Sequence, residues 1–463
     1  MNTPDPYLSP FAWRYGSAEM RALWSEGATR RLWRSIWVAL ARVQCRYGLV
    51  TPEQVADLES RAADVDLPRA LEIEAEIHHD VMAEVRAFAE QCPVGGGVIH
   101  LGATAMDVRD NATALQARAA LDRVIAQFEA LLRAFAASIE TWADRVCMGF
   151  THLQPAEPTT VGYRLAGYAQ DLLLDYADLL RAREMWRGKG FKGAVGTSAS
   201  YALLLEGRVD PAVFEAEVMA ELDLPAWPVA NQVYPRRQDW AVLTVLSGIG
   251  STLYRFAMDL RVLQTPAIGE WAEPFGAKQV GSSAMPFKRN PIRAEKIDSL
   301  ARYLAQLPRV AWDNAALSLL ERTLDDSANR RVILPHAFLV TDELLTVTTR
   351  LVRDLRINET AIERTLATYG PFAGIERLLM RLAQAGASRQ AMHEVLREVA
   401  MRAWAHVEAG ELNPLLELLT ADTRLLAYLS SEQIAAALQV DGYVGDAPQR
   451  ARALAADIRR AIS

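Results

Sequence analysis

The chain has 463 residues, of which 23% are charged and 51% hydrophobic, with a formal net charge of -7 at pH 7. That length supports a large core and roughly two to four domains. The acidic balance argues against a nucleic-acid binder, whose footprint is basic, yet it permits an anionic substrate held by locally gathered arginines.

Helical periodicity dominates, and alternating strand patterns are scarce. The first ~105 residues read as short helices with frequent breaks. From Asn111 to Met148 there is no Gly or Pro, and Leu121, Ile125, Phe128, Leu132, Phe135, Ile139 and Trp142 recur on one face. Such a helix would run about 55 Å and needs partners in a bundle. Arg187–Ser198 is glycine-rich and reads as an ordered loop, with Asp223–Pro228 a second connector. Further helices are expected over Gln238–Leu263, Arg293–Leu307 and Val332–Leu355, the last bent near its start by Pro335. Shorter helices follow Asn358. The expected organisation is a helical head (1–108), a long-helix bundle (109–357) and a helical tail (358–463).

The cysteines Cys45, Cys92 and Cys147 stand far apart and form no CxxC pair, so reduced, buried thiols and no metal site are expected. The start shows no secretory pattern, and no apolar run approaches the ~20 residues of a membrane span. A cytoplasmic protein with neither membrane nor nucleic-acid partner is the expectation.

Four segments depart from helix-filling composition: His78–Ala83, His100–Asn111, Thr151–Thr160 and Gly281–Glu295. Four of the seven histidines fall in the first three. A lone histidine is usually a satisfied core or surface residue, but histidines grouped with Thr, Gln, Gly and Pro at segment junctions favour function. In the fourth, Gly281 and two serines suit a mobile loop, and Asn290 reads as an N-cap with Pro291 at the first helical position. The free N–H groups of that helix, with Lys288 and Arg289, would form an anion site. An ordinary loop entering a helix is the alternative. Glu321–Arg331 reads either as a charged turn opening a helix or, through its arginines and Ser327, as a phosphate site.

Together these segments resemble the fumarase/aspartase superfamily, whose signature loop is matched by Gly281-Ser-Ser-Ala-Met-Pro-Phe-Lys-Arg-Asn-Pro291. Within it the likeness is to the adenylosuccinate lyases: Ser9–Ser17, His79–Ala83, His100–Thr104, Thr151-His152 and Arg322–Arg331 occur in the expected order. The resemblance implies an all-α, three-domain fold with a central long-helix bundle. It also implies a homotetramer whose active sites combine three subunits, a succinylated nucleotide as small-molecule substrate, and no cofactor. By the same resemblance, Ser282 is the general base, with Ser283 beside it in the loop. His152 is the general acid, Glu295 holds its other ring nitrogen, and His79 assists. Lys288 and Asn290 stabilise the carboxylate as charge builds on it, and Gln232 holds the substrate together with His100, Thr104 and Thr151. Arg14, Tyr15, Arg322, Ser327 and Arg331 hold the phosphate, which fumarases and aspartases do not need.

Two positions depart from the family pattern, Ala105 where a serine is usual and Ser198 where a glutamine is. A lost donor to a carboxylate costs about 1.5–3 kcal/mol unless something replaces it; water, Ser198 or Ser200 are the replacements in view. The departures leave two further readings, a fumarate-releasing C–N lyase for another succinylated amine and a catalytically silent relative.

Overall fold

The long apolar stripes fold as helices, and the breaks between them decide where the chain turns. The computed structural model describes Tyr7–Ser463 except Ala277 and Asp441. The stripe read from Asn111 begins earlier and ends earlier, as the 37-residue helix Ala105–Thr141. Val146–Thr151 instead pairs antiparallel with Gln154–Thr160. Its β-branched and aromatic residues suit a pleat better than a helix end. Gly149 sits at the irregular step of that hairpin, where a Cβ would lie 2.6 Å from the Glu157 carbonyl oxygen. Glu26–Arg46 and Arg389–Glu408 run 21 and 20 residues in the head and tail, and the other long helices are Val161–Met185, Arg237–Leu263 and Asp325–Arg353. Pro335 lies inside the last of these, which continues through it. A second short ladder pairs Trp271–Ala272 with Arg356–Ile357.

By length and apolar composition Arg237–Leu263 and Asp325–Arg353 would suffice to cross a bilayer, which the sequence reading did not expect. Each nevertheless carries buried charge, Asp239 in the first and Arg330 and Asp342 in the second.

Contacts gather into two units. The first comprises the chain up to Phe128, Asp175–Ser251 and Ser299–Thr346; the second comprises Glu129–Leu174, Thr252–Asp298 and Val347–Ser463. In the second, the tail helices close on a core of their own that includes Leu378, Leu382, Leu396, Leu415 and Ile434.

Two buried polar knots organise the first unit. Arg34 donates to Glu84 (2.6 Å) and lies over the Phe88 ring, and Arg30 bonds the same carboxylate (3.2 Å). They lock the Glu26–Arg46 helix onto Asp80–Gln91. The second knot is Asp107, wholly buried in the first turn of the Ala105–Thr141 helix. Its carboxylate pairs with Lys189 and accepts from the Tyr201 hydroxyl (3.1 Å) and the amides of Thr104 (3.1 Å), Lys192 and Gly193 (3.3 Å each). Asn111, one turn on, exchanges bonds of 3.1 Å with the Gly190 backbone in both directions. Burial and Asp107 push the Tyr201 phenol far above its usual range, so it stays a donor. Removing one member of such a pair strands a buried charge. Lys189→Met should therefore lower unfolding stability by about 3–5 kcal/mol in denaturant titrations. A loss below about 1 kcal/mol would mean the pair is dispensable.

Candidate active site

Because Asp107 holds the Thr104 amide, the chain ahead of the long helix forms one wall of a cavity of about 540 Å³ in the first unit. That wall carries His100, Thr104 and Ala105, and His79 stands opposite at the start of the Asp80–Gln91 helix. Gln232 lines it from the loop before Arg237–Leu263, its amide bonded to the Glu321 carbonyl (3.3 Å). Arg322, Ser327 and Arg331 complete it from the start of Asp325–Arg353. Seven residues named from the sequence thus meet in one cavity.

Backbone amides and an indole set the proton positions on the two imidazoles. His79 is the N-cap of its helix, and its Nδ1 accepts from the Met82 amide (3.2 Å). The His100 Nδ1 accepts from Trp37 Nε1–H (3.1 Å), and Trp37 is itself only 1% exposed. An indole N–H can only donate, so the proton of each neutral ring sits on Nε2, ready to donate into the cavity. Burial depresses His100 below its ordinary value by more than Asp107 raises it, and His79 adds to the depression. Three of the seven histidines, His78, His100 and His152, adopt left-handed backbone, with φ of 53°, 68° and 54°. Non-glycine residues in that region are uncommon and gather where function over-determines the backbone.

The arginine wall rests on a ladder of buried ion pairs. Arg236 donates to Asp326 (2.5 Å) and Asp110 (3.0 Å), and Arg330 to Asp239 (2.7 Å) and the Tyr234 hydroxyl (2.6 Å). Arg322 takes the second oxygen of Asp326 (2.7 Å), and Arg331 takes Asp80 (2.8 Å). Burial would raise the carboxyls of Asp80 and Asp326, but Arg109 and Arg331 at the first, and Arg236, Arg330 and Arg322 at the second, hold both below the usual range. They remain anions throughout the neutral range and keep the arginines aimed.

The other sequence-named residues lie in the second unit or away from the cavity. His152 and Leu153, at φ 54° and 60°, form the two-residue turn between Thr151 and Gln154. Such a turn favours Asn-Gly, so this pair carries strain to present an exposed histidine. Glu295 is half-exposed, 4.0 Å from Arg261; among the described residues the His152 ring has no hydrogen-bond partner. Ser282 Oγ accepts from the amides of Ala284 (3.3 Å) and Met285 (3.0 Å). Two N–H groups on one hydroxyl favour its deprotonated form. Ser283 and Lys288 are exposed beside it, and Phe287 is 82% exposed. Gly281 is needed at the neck, where a Cβ would lie 2.1 Å from the Lys288 carbonyl oxygen.

Asn290 is not the N-cap expected of it. Its side-chain amide donates to the Gly281 carbonyl (3.0 Å) and ties the loop shut at its base. The cap is Glu273, whose carboxylate accepts from the amides of Arg293 (3.1 Å) and Ala294 (2.6 Å). The expected anion site at that helix start is therefore filled by the chain's own carboxylate, and the Ile292–Leu304 helix begins one residue past Pro291. Burial raises the Glu273 carboxyl above its usual range despite those two donors. Glu273 went unnoticed because it is distant in sequence from the helix it caps.

Arg14 and Tyr15 do not reach the cavity within one chain. Their segment docks further along Asp325–Arg353, where the Gly16 and Ser17 amides bond Glu343 (3.1 Å) and Asp342 (2.6 Å). That point is about 17 Å beyond Arg331 along the helix. Ser200 spends its hydroxyl on the Gly102 carbonyl (2.8 Å), and Ser198 does not line the cavity, so neither replaces a donor at Ala105. Sequence reading also missed Trp37 and Arg109; the spacing of Ala105 and Arg109, one helical turn apart, was the available signal for the second.

Trp37→Phe keeps an aromatic ring against Phe88 and deletes the donor. Without it protonation of Nδ1 is easier, so the His100 pKa should rise. Nitrogen-15 NMR of the ring should then show mixed tautomers and a midpoint roughly one pH unit higher. An unchanged Nε2–H tautomer and midpoint would exclude Trp37 from this role.

A family profile described as "Lyase" matches residues 20–304, and one described as "Adenylosuccinate lyase C-terminus" matches residues 372–454. The chain is 38% identical to the adenylosuccinate lyase of Schistosoma mansoni over 428 residues, covering 91% of this chain and 89% of that one. It is 37% identical to the Saccharomyces cerevisiae adenylosuccinate lyase over 454 residues, covering 96% and 93%. Among solved structures, the 3-carboxy-cis,cis-muconate lactonizing enzyme of Pseudomonas putida superposes with a TM-score of 0.87 at 24% identity, covering 98% of this chain and 99% of that one, which shows a shared fold. The chain belongs to the adenylosuccinate lyase family of the fumarase/aspartase superfamily.

Proposed function

We propose that the protein eliminates fumarate from adenylosuccinate, leaving AMP, and acts likewise on the succinylated aminoimidazole carboxamide ribotide of purine synthesis, in the cytoplasm. The observation that carries this reading is the cavity where Arg322, Ser327 and Arg331 face His79, His100 and Gln232. It offers fixed cations for a phosphate at one end and imidazole donors at the other. In this reading Ser282 removes the proton from the carbon next to a succinyl carboxylate. The electron pair is held on that carboxylate by Lys288 and Asn290 until the C–N bond breaks, and His152 protonates the departing nitrogen. The two amides on Ser282 Oγ favour the alkoxide a serine base requires.

A homotetramer with shared sites is part of the proposal. Arg14 and Tyr15 do not line the cavity of their own chain, and His152 stands exposed at a hairpin tip. Both are disposed to serve another copy. Ala105 favours one alternative, a different succinylated amine, because a methyl group stands where the family carries a hydroxyl.

Purified protein incubated with adenylosuccinate should release AMP and fumarate in equal amounts. No turnover by folded protein would sink the reading, and fumarate from another succinyl-amine alone would favour the alternative. Ser282→Ala should bind substrate but lose roughly 10²–10⁴ in turnover; near-normal turnover would remove it from the base role. His152→Asn makes the sharper case, because asparagine tolerates left-handed backbone. Its melting temperature should hold or rise while turnover falls by about 10²–10⁴. A parallel loss of stability and activity would indicate a purely structural histidine.

A further inference from the structure

Structural arginines in the first unit bond acceptors within the chain, although one nitrogen each of Arg34 and Arg236 has no partner. Arg34 bonds Glu84, Gln91 and two backbone carbonyls, and Arg236 bonds two aspartates. Arg109 does not. It lines the cavity one turn after Ala105 on the Ala105–Thr141 helix, with its side chain 21% exposed. Its single ion pair is with Asp80, NH1 to Oδ2 at 3.4 Å, longer than a hydrogen bond. No acceptor lies within hydrogen-bonding geometry of its guanidinium among the described residues.

The same Asp80 oxygen already accepts from Arg331 at 2.8 Å, and Asp80 Oδ1 takes the Val81 amide. Arg322 is matched by Asp326, and Glu74, the other carboxylate on the cavity wall, by Arg30. Arg330 and Arg236 behind the wall are matched by Asp239 and Asp110. One guanidinium therefore faces the cavity without a counter-ion of its own. Burial depresses Arg109 by more than Asp80 raises it, and Arg331 opposes its charge further. An arriving anion would relieve both penalties.

We propose that Arg109 is a substrate-binding and specificity-determining residue that, with Arg331, clamps the phosphate of the nucleotide. This rests on the reading of the activity above. Two guanidiniums that converge on one oxygen of Asp80 suit a phosphate, whose three terminal oxygens can engage two forks at once. A carboxylate is flat and is satisfied by a single fork. Ser327, one turn before Arg331 on its helix, adds a hydroxyl on the same side.

The test is calorimetric binding of AMP, adenosine, fumarate and inorganic phosphate to the full-length wild type, Arg109→Met and Arg109→Lys. Wild type should prefer AMP to adenosine. In Arg109→Met, AMP should bind roughly tenfold to a hundredfold more weakly, with adenosine and fumarate unchanged and phosphate binding reduced. Arg109→Lys, which keeps charge and length without the fork, should fall between, and it carries the test should the methionine variant misfold. Equal losses for AMP and adenosine, weakened fumarate with intact AMP, or no change at all would each overturn the proposal, as would a wild type that binds neither AMP nor phosphate. Turnover of adenylosuccinate by wild type reports on the activity separately, whereas the AMP-to-adenosine ratio reports on Arg109.

Discussion

A buried carboxylate without a nearby cation would be too costly to keep, and Asp107 is where this chain solves that problem. Lys189 neutralises it, while Tyr201 and three backbone amides saturate its oxygens. Three features of the sequence become one object through that knot. The long helix gains its start, the glycine-rich Arg187–Ser198 loop gains a fixed course, and the Thr104 strip becomes a rigid wall. The Lys189 ammonium also donates to the Gly193 carbonyl (3.0 Å), so one compact group bridges the carboxylate and the loop. Two of only five lysines in an arginine-rich chain lie here, at Lys189 and Lys192.

The arginine–aspartate ladder plays the matching role on the opposite wall. Asp110 sits one turn past Met106 on the same long helix, so the helix that carries the Thr104 wall also anchors Arg236. Arg236 passes the order to Asp326, and Asp326 to Arg322. Buried pairs of this kind contribute little net stability, since desolvation offsets most of their attraction. Their value is positional: the guanidiniums at the cavity are held in place before any ligand arrives, so binding need not order them.

Most of the helical architecture was legible, because a 3.6-residue apolar period over 25 or more residues has no competing interpretation. The Val146–Thr160 hairpin was not, since residues without glycine or proline continue a helical stripe on paper until a bulge at Gly149 and the docking of Gly162 against Trp142 turn the chain. Within the site, His79, His100, Thr104, Gln232, Arg322, Ser327 and Arg331 were readable through family resemblance, and the cavity gathers them. What escaped were relations between distant segments. Glu273 caps a helix some twenty residues on, and Trp37 sets the tautomer of a histidine 63 residues away. No local pattern encodes either. Asn290-Pro291 illustrates the opposite error, a local capping signal overridden by a long-range carboxylate and put to use closing a loop.

Strain and exposure mark two of the segments where chemistry is expected, although left-handed residues also occur at Glu206 and Asp223. His152-Leu153 occupies a turn that Asn-Gly would make with less strain, and Phe287 is held in solvent on a loop whose neck admits only glycine. Two such left-handed residues cost on the order of 1–3 kcal/mol each. The saturated knots at Asp107 and Glu84 can carry that cost, being formed from groups that no ligand needs. The molecule thus separates its polar groups into two populations. Most structural side chains in the knots are buried and paired, though single nitrogens of Arg34 and Arg236 have no partner, whereas Arg109, Lys288 and the His152 ring keep unused capacity at a cavity or in solvent. Spare hydrogen-bonding capacity on an otherwise well-paired protein is the physical signature of a surface prepared for a partner or a substrate.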